Sequence, residues 1–171
     1  VTPEGVTVRE VIAYGRYPYT GAFASLSTRD HEAIERAAVK AGVEQLLEVP
    51  ATELSGGQRQ RIWVAMTVAQ QTPVLLLDEP TTYLDPAHQI AILDLVRELN
   101  AAGRTVVMVV HDMTHAARFA DHIVAMRDGQ IVAAGETEAV MSAELVNEVF
   151  GISCLTVEDP ETGRVLPVPY R

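Results

Sequence analysis

The stretch Val74-Leu75-Leu76-Leu77-Asp78-Glu79-Pro80 decides the fold. Pro73 stops the helical pattern before it, and four apolar residues in a row are too short a run for a helix. They read as a β-strand buried on both faces, the pattern of a parallel sheet. Two acids end the strand. Ligands of open α/β sheets gather at the carboxyl ends of strands, so the position favours a site. An acid there can hold Mg²⁺, usually through water, while its neighbour orients or deprotonates an attacking water. A strand that simply ends in solvated acids fits the same residues.

Downstream, Asp85 and Pro86 cap a helix running to Asn100, with Ile92, Leu93, Val96 and Leu99 on its apolar side. A second buried strand follows over 105–110, completing a strand–helix–strand unit, and His111-Asp112 comes directly after it. A histidine at that place can hydrogen-bond a terminal phosphate or position water. His31, His88, His115 and His122 lack such a location and read as structural or surface residues. After a helix near 114–120, the stretches 122–127 and 130–133 flank Asp128-Gly129, a hairpin-turn signal. A last helix spans 138–150 and closes at Gly151, and 159–163 forms the turn of a terminal hairpin.

Upstream, the pattern is helical. Thr7 with Glu10 makes a capping box before Val8, Val11 and Ile12, opening a helix that ends near Gly15. A loop covers 16–27, where Tyr17, Tyr19 and Phe23 read as loop packing or as a subunit contact. A second helix covers 30–41, with Ala33, Ile34, Ala37 and Ala38 facing inward and Gly42 ending it. Ser55 and Gln58 form another capping box, opening a third helix toward Gln71. The sequence thus predicts a helical lobe over 1–72 and an α/β lobe over 73–171. Met66, Met126 and Met141 read as core.

At Leu54-Ser55-Gly56-Gly57-Gln58-Arg59-Gln60-Arg61, two glycines and a capping serine stand at the start of the third helix. Such an end binds anions: backbone N–H groups and the positive end of the helix dipole face outward, and glycines let a phosphate approach. A plain helix cap reads the same way.

Composition narrows the function classes. The 171 residues are 48% hydrophobic and 21% charged, the values of a globular chain with a packed core. A formal net charge of -10 argues against nucleic acid as a partner, because tracking phosphates needs basic patches. The lone Cys154 makes no internal disulfide, which favours the cytosolic side. No apolar run approaches the roughly 20 residues that span a bilayer, so any membrane role is expected to be peripheral. Val1 stands where an initiator Met would, and the first residues resemble no signal peptide, so the chain is expected to be a piece of a longer one.

Taken in order, the 54–61 stretch, Leu75-Leu76-Leu77-Asp78-Glu79-Pro80, Leu84-Asp85 and Val109-Val110-His111-Asp112 resemble the signature, Walker B, D-loop and switch-histidine motifs of ABC ATPases. The resemblance runs from Pro3 onward and includes the hairpin at Asp128-Gly129-Gln130-Ile131-Val132. It implies a P-loop NTPase fold: a helical subdomain carrying the signature, then part of a RecA-like, mainly parallel sheet with a C-terminal helix and hairpin. By the same resemblance, Ser55, Gly56, Gly57 and Gln58 would meet the γ-phosphate side of ATP held by a second copy in a head-to-tail dimer. Asp78 would bind Mg²⁺ through water, Glu79 would be the general base, Asp85 would couple the two sites, and His111 would contact the γ-phosphate.

Gly15-Arg16-Tyr17-Pro18, Thr81-Thr82-Tyr83-Leu84-Asp85 and the segment from Asp159 to Pro169 look like those of iron-chelate importers, with haem or cobalamin importers as the alternative. Implied partners are transmembrane permease subunits and, indirectly, a periplasmic or lipid-anchored substrate-binding protein, which places the ATPase on the cytoplasmic face of the membrane. A non-transport ABC ATPase of DNA repair or translation would usually show a coiled-coil insertion or a basic surface. The phosphate-gripping Gly-x-x-x-x-Gly-Lys-Ser/Thr loop does not occur in these residues, whose one lysine, Lys40, sits in a predicted helix. That loop, the adenine-stacking aromatic and the Q-loop glutamine would lie upstream of Val1. The parent is therefore expected to be an ATPase and this stretch alone an inactive binding piece. The strand missing from the sheet would leave a gap between the strand before His111 and that over 122–127. The expectation is that those two strands pair with each other or with another copy.

Overall fold

A computed structural model describes residues 5–20 and 25–170. It divides into two compact units, Val1–Val109 and Val110–Arg171. This division follows packing, whereas the change of pattern at Pro73 follows the switch from helices to strands.

The first unit opens with α1, Val8–Ala13, capped by the Thr7–Glu10 box. The chain then tightens into a 3-10 turn over Tyr14–Tyr19, so the first four residues of the expected loop, 16–19, are helical. The close approach at Gly15 requires glycine: a Cβ there would stand 2.2 Å from the Met66 backbone oxygen. Helix α2, Thr28–Lys40, starts two residues earlier than the sequence suggests, because Ser27 and Asp30 form a capping box of their own. Gly42 ends it at φ 62. Helix α3, Gly56–Ala69, begins at the Ser55–Gln58 box. Ile12, Ile34, Ala38 and Ala65, all at 0% exposure, knit the three helices into one core.

A buried cation fixes the turn to the helices. Arg16 Nε donates to Asp30 Oδ1 at 2.8 Å, Arg16 Nη1 donates to the Ala69 carbonyl at 2.7 Å, and the guanidinium lies 4.1 Å from the Tyr19 ring centre. Hydrogen bonds from Ser27 and then from Arg16 hold the Asp30 carboxyl at about 2, below its ordinary 3.8. Each polar group of the pair is thereby satisfied, which burial demands. Tyr17 and Tyr19 are exposed on this turn; Phe23 lies outside the described residues.

Strand β1, Val74–Asp78, pairs directly and in parallel with β2, Thr105–Val109, and helix α4, Pro86–Ala101, connects the two in sequence. The register runs from Val74 opposite Thr105 to Asp78 opposite Val109. Burial on both faces is not what these strands show. Leu75 and Leu77 are buried, while Leu76 is 71% and Val107 is 54% exposed. The cause is one-sided cover: the inward residue Leu75 joins a core with Ile92, Leu95 and Leu99 of α4, and alternate side chains project to the other face.

The second unit holds α5, Met113–Phe119, and two antiparallel hairpins: β3, His122–Arg127, with β4, Gln130–Glu136, and β5, Ser153–Glu158, with β6, Val165–Tyr170. Asp128 and Gly129 both have positive φ, 50 and 75, as a tight hairpin turn needs. Among the described residues, β2 has β1 as its hydrogen-bonded neighbour and β3 has β4.

The single helix expected over 138–150 is two, α6, Thr137–Val140, and α7, Ala143–Phe150. Met141 is extended, and the Ser142 side chain accepts from Leu145 N, starting a new helix. Gly151 closes α7 at φ 69. Met126, expected in the core, is exposed on β3. Arg118 ties α5 to the final hairpin through Asp159 at 2.9 Å and Glu161, and Arg164 Nη1 donates to the Ala120 carbonyl at 2.8 Å.

Candidate functional site

Two loops meet at the start of α3. In the first, Ser55 Oγ accepts from Gln58 N at 3.2 Å, and Gln58 Oε1 accepts from Ser55 N at 2.9 Å. The reciprocal cap turns the Gln58 side chain back onto the chain and leaves the first-turn N–H groups of Gly56 and Gly57 without helical acceptors. Around Gly56 nothing stands within 4 Å of a built Cβ, so a ligand can reach the backbone there. At Gly57 a Cβ would come 3.2 Å from Leu84 Cδ2, which places the signature stretch directly against the second loop.

That second loop, 79–85, turns through two non-glycine residues with positive φ, Glu79 at 47 and Tyr83 at 64. Thr82 N donates to the Glu79 carbonyl at 3.2 Å and Thr82 Oγ1 donates to Glu79 Oε2 at 3.1 Å. Gln89 Nε2 holds the carbonyls of Thr81 and Leu84 at 3.3 and 3.2 Å. Asp85 ends the loop as the cap of α4, accepting from His88 N at 3.0 Å and pairing with His88 Nδ1 at 2.7 Å. The hydrogen bond from the His88 backbone, then that from its ring, lower the Asp85 carboxyl below its ordinary 3.8.

Ser55, Gly57, Gln58, Tyr83, Leu84 and Asp85, with Arg61 and His88, line a cavity of about 400 Å³. Of the site residues read from the sequence, four therefore share one wall: Ser55, Gly57, Gln58 and Asp85. Asp78 faces a smaller hollow of about 90 Å³ between α3 and β1, beside Gln60, Trp63 and Thr67. Glu79 joins the two regions, because its carbonyl accepts from Gln60 Nε2 at 3.2 Å. His111 is an exposed residue of the second unit.

His88 and Arg61 are the cavity residues that sequence reading passed over. The signal was a spacing: His88 lies three residues after Asp85 and Arg61 three after Gln58, each on the same helix face as its partner. Arg61 Nη1 also donates to the Gly42 carbonyl at 3.0 Å, bracing α3 against the end of α2.

Among the described residues, no three His, Cys, Asp or Glu side chains converge as a metal cage. A single exposed carboxylate at a strand end, Asp78, fits Mg²⁺, which keeps several waters and takes one or two carboxylates together with substrate phosphates.

The ABC transporter family model matches residues 3–82, spanning the helical core, the Ser55 cap and the acid pair at the end of β1. The chain is 48% identical over 169 residues to a siderophore transport system ATP-binding protein of Bacillus subtilis, covering 98% of this chain and 62% of that one. The chain belongs to the ABC transporter family. A second relative in the family, the ferric enterobactin transport ATP-binding protein of Escherichia coli, is 44% identical over 169 residues, with 98% and 62% covered. Among solved structures, a metal-chelate type ABC transporter in an inward-facing conformation superposes with TM-score 0.89 at 26% identity, covering 100% of this chain and 69% of that one. The mixed helix-and-strand fold is that of the ABC ATPases, and the chain spans about 62% of the length of these two curated relatives. No described helix is long and apolar enough to cross a membrane.

Proposed function

We propose that the complete protein carrying this chain hydrolyses ATP to drive import of iron chelates such as ferric siderophores. The observation that supports it most is the joined wall of Ser55, Gly57 and Asp85, an open helix N-terminus packed on an acid-capped loop, one short link from the acid pair Asp78 and Glu79. The relatives' names supply the chelate.

In this reading Glu79 accepts the proton of the attacking water, and Asp78 holds Mg²⁺, which neutralises charge on the phosphates. His111 contacts the terminal phosphate. Ser55 and the N–H groups of Gly56 and Gly57, with Gln58, serve a nucleotide bound by a second copy of the subunit, and Asp85 carries the state of one site to the other. The ATPase works head-to-tail as a dimer on the cytoplasmic face of the membrane, beneath permease subunits that receive substrate from a binding protein. The helical subdomain is 1–72 and the catalytic core begins at 73.

The test is turnover. In the complete protein, Glu79→Gln should lower Mg-ATP hydrolysis by about 10²- to 10⁴-fold while nucleotide binding persists, since only the base is lost. Near-normal turnover would remove Glu79 from the role. The 171-residue chain by itself should bind Mg-ATP weakly, because it contains no lysine-bearing phosphate loop. Micromolar affinity by calorimetry would contradict that. Ferric-siderophore uptake should stop in cells that lack the protein and return with the wild-type gene; unchanged uptake would exclude the chelate assignment.

A further inference from the structure

The side chain of Gln60 belongs to neither loop of the cavity, yet it reaches across 19 positions of sequence to the Glu79 carbonyl, donating at 3.2 Å. It sits on α3, just over one turn from the Ser55 cap that starts the helix. The residue it grips is held in an uncommon conformation. Glu79 has φ 47, in the left-handed region that a side chain with a Cβ adopts at a cost and that persists only where surrounding groups impose it. Thr82 and Gln60 are among the groups that do so. Thr82 binds both ends of Glu79, its N–H on the carbonyl and its hydroxyl on the carboxylate, but Thr82 lies in the same loop and moves with it. Gln60 ties it to a different element, α3.

We propose that Gln60 is a positioning residue for Glu79. It fixes the peptide that orients the carboxylate, and it makes that orientation depend on the placement of α3. Because the N-terminus of α3 is the end offered to a phosphate group, a shift of the helix on engaging phosphate is passed through one amide to the backbone of the base. Glu79 is also the turning point from β1 into the 79–85 loop. Loss of the Gln60 tie therefore leaves the carboxylate in place on average, with Thr82 still on it, but less narrowly directed because the peptide behind it is freer, which affects the chemical step and not nucleotide capture. The inference rests on Glu79 acting as the base.

The donor is what matters, and two replacements separate it from packing. Gln60→Met keeps the length and removes the donor. Gln60→Glu places a carboxylate against a carbonyl oxygen when ionised and regains a donor O–H when protonated. In the complete protein, both variants should lose at least about tenfold in kcat near neutral pH, worth about 1.4 kcal/mol in the barrier, with KM for Mg-ATP within about twofold of wild type. As the pH falls from about 8 to about 4.5, where a glutamate with an ordinary value near 4.3 is substantially protonated, the Gln60→Glu rate relative to wild type should climb while that of Gln60→Met stays flat. A merely structural role would lower thermal stability alike in both variants and give no such divergence with pH. Kcat within threefold of wild type in Gln60→Met, or parallel pH profiles for the two variants, would overturn the assignment even with Glu79→Gln inactive. A wild-type protein without hydrolysis, or an active Glu79→Gln variant, would overturn this inference together with the functional reading beneath it.

Discussion

The three helices over 8–69 and the strand pair β1–β2 belong to the same compact unit but are stabilised differently. The helices satisfy their backbone groups internally, cap themselves with side chains three residues away, and bury Ile12 and Ile34 completely. The strands satisfy one edge through each other and bury one face, leaving Leu76 and Val107 on the other. A helix closes its hydrogen bonds within its own segment and needs a partner for one apolar stripe; a strand needs neighbours on both edges and both faces. Stability should therefore be concentrated in the helices.

The strongest way to break that contrast is Ile34→Ala, which opens a cavity among α1, α2 and α3 and should cost about 2–5 kcal/mol in chemical denaturation. Leu76→Ala removes a similar side chain from β1. If it costs as much, the difference between the two regions is illusory. Gly15→Ala comes next. With a Cβ 2.2 Å from the Met66 carbonyl oxygen, the 3-10 turn must move off α3, and overpacking of this kind costs about 1–3 kcal/mol. A melting temperature equal to wild type would show that the turn is not anchored there.

Ser142→Ala tests a helix outside the helical lobe. Losing the cap of α7 should cost about 1 kcal/mol, seen as faster amide exchange over Ala143–Phe150. Leu76→Ala itself should fall within about 0.5 kcal/mol, as exposed positions do. The finest test is in acid. Asp30 titrates at about 2 when folded, below its ordinary 3.8, so its contribution is present above the ordinary value and lost as pH falls through about 2. Exchange protection of α2 should accordingly drop between pH 4 and pH 2, and Asp30→Asn should remove that part of the pH dependence.

The sequence made local features legible and distant ones not. The Thr7–Glu10 and Ser55–Gln58 boxes, the Asp85-Pro86 cap and the Asp128-Gly129 turn each rest on residues within three positions of one another, and each stands where the sequence puts it. The order of the motifs along the chain likewise carries the family resemblance in the sequence alone. What stayed hidden depends on separation or on cover. The four apolar residues of Val74–Leu77 carry no mark telling which alternate residues will meet α4. The break at Met141 comes from competition between a continuing helix and the Ser142 cap, and both halves keep the helical period. The Gln60 tie to Glu79 spans 19 positions and involves a backbone oxygen, which has no residue code.

Trp63 is the single tryptophan of the sequence, and it stands 47% exposed at the rim of the hollow shared by Gln60, Leu76 and Asp78. Its indole emission is consequently an intrinsic optical readout of that corner, undiluted by any second fluorophore of its kind and sensitive to the water around the ring. The molecule arrives already labelled beside the carboxylate at the end of β1, so changes there can be followed in real time without attaching a dye.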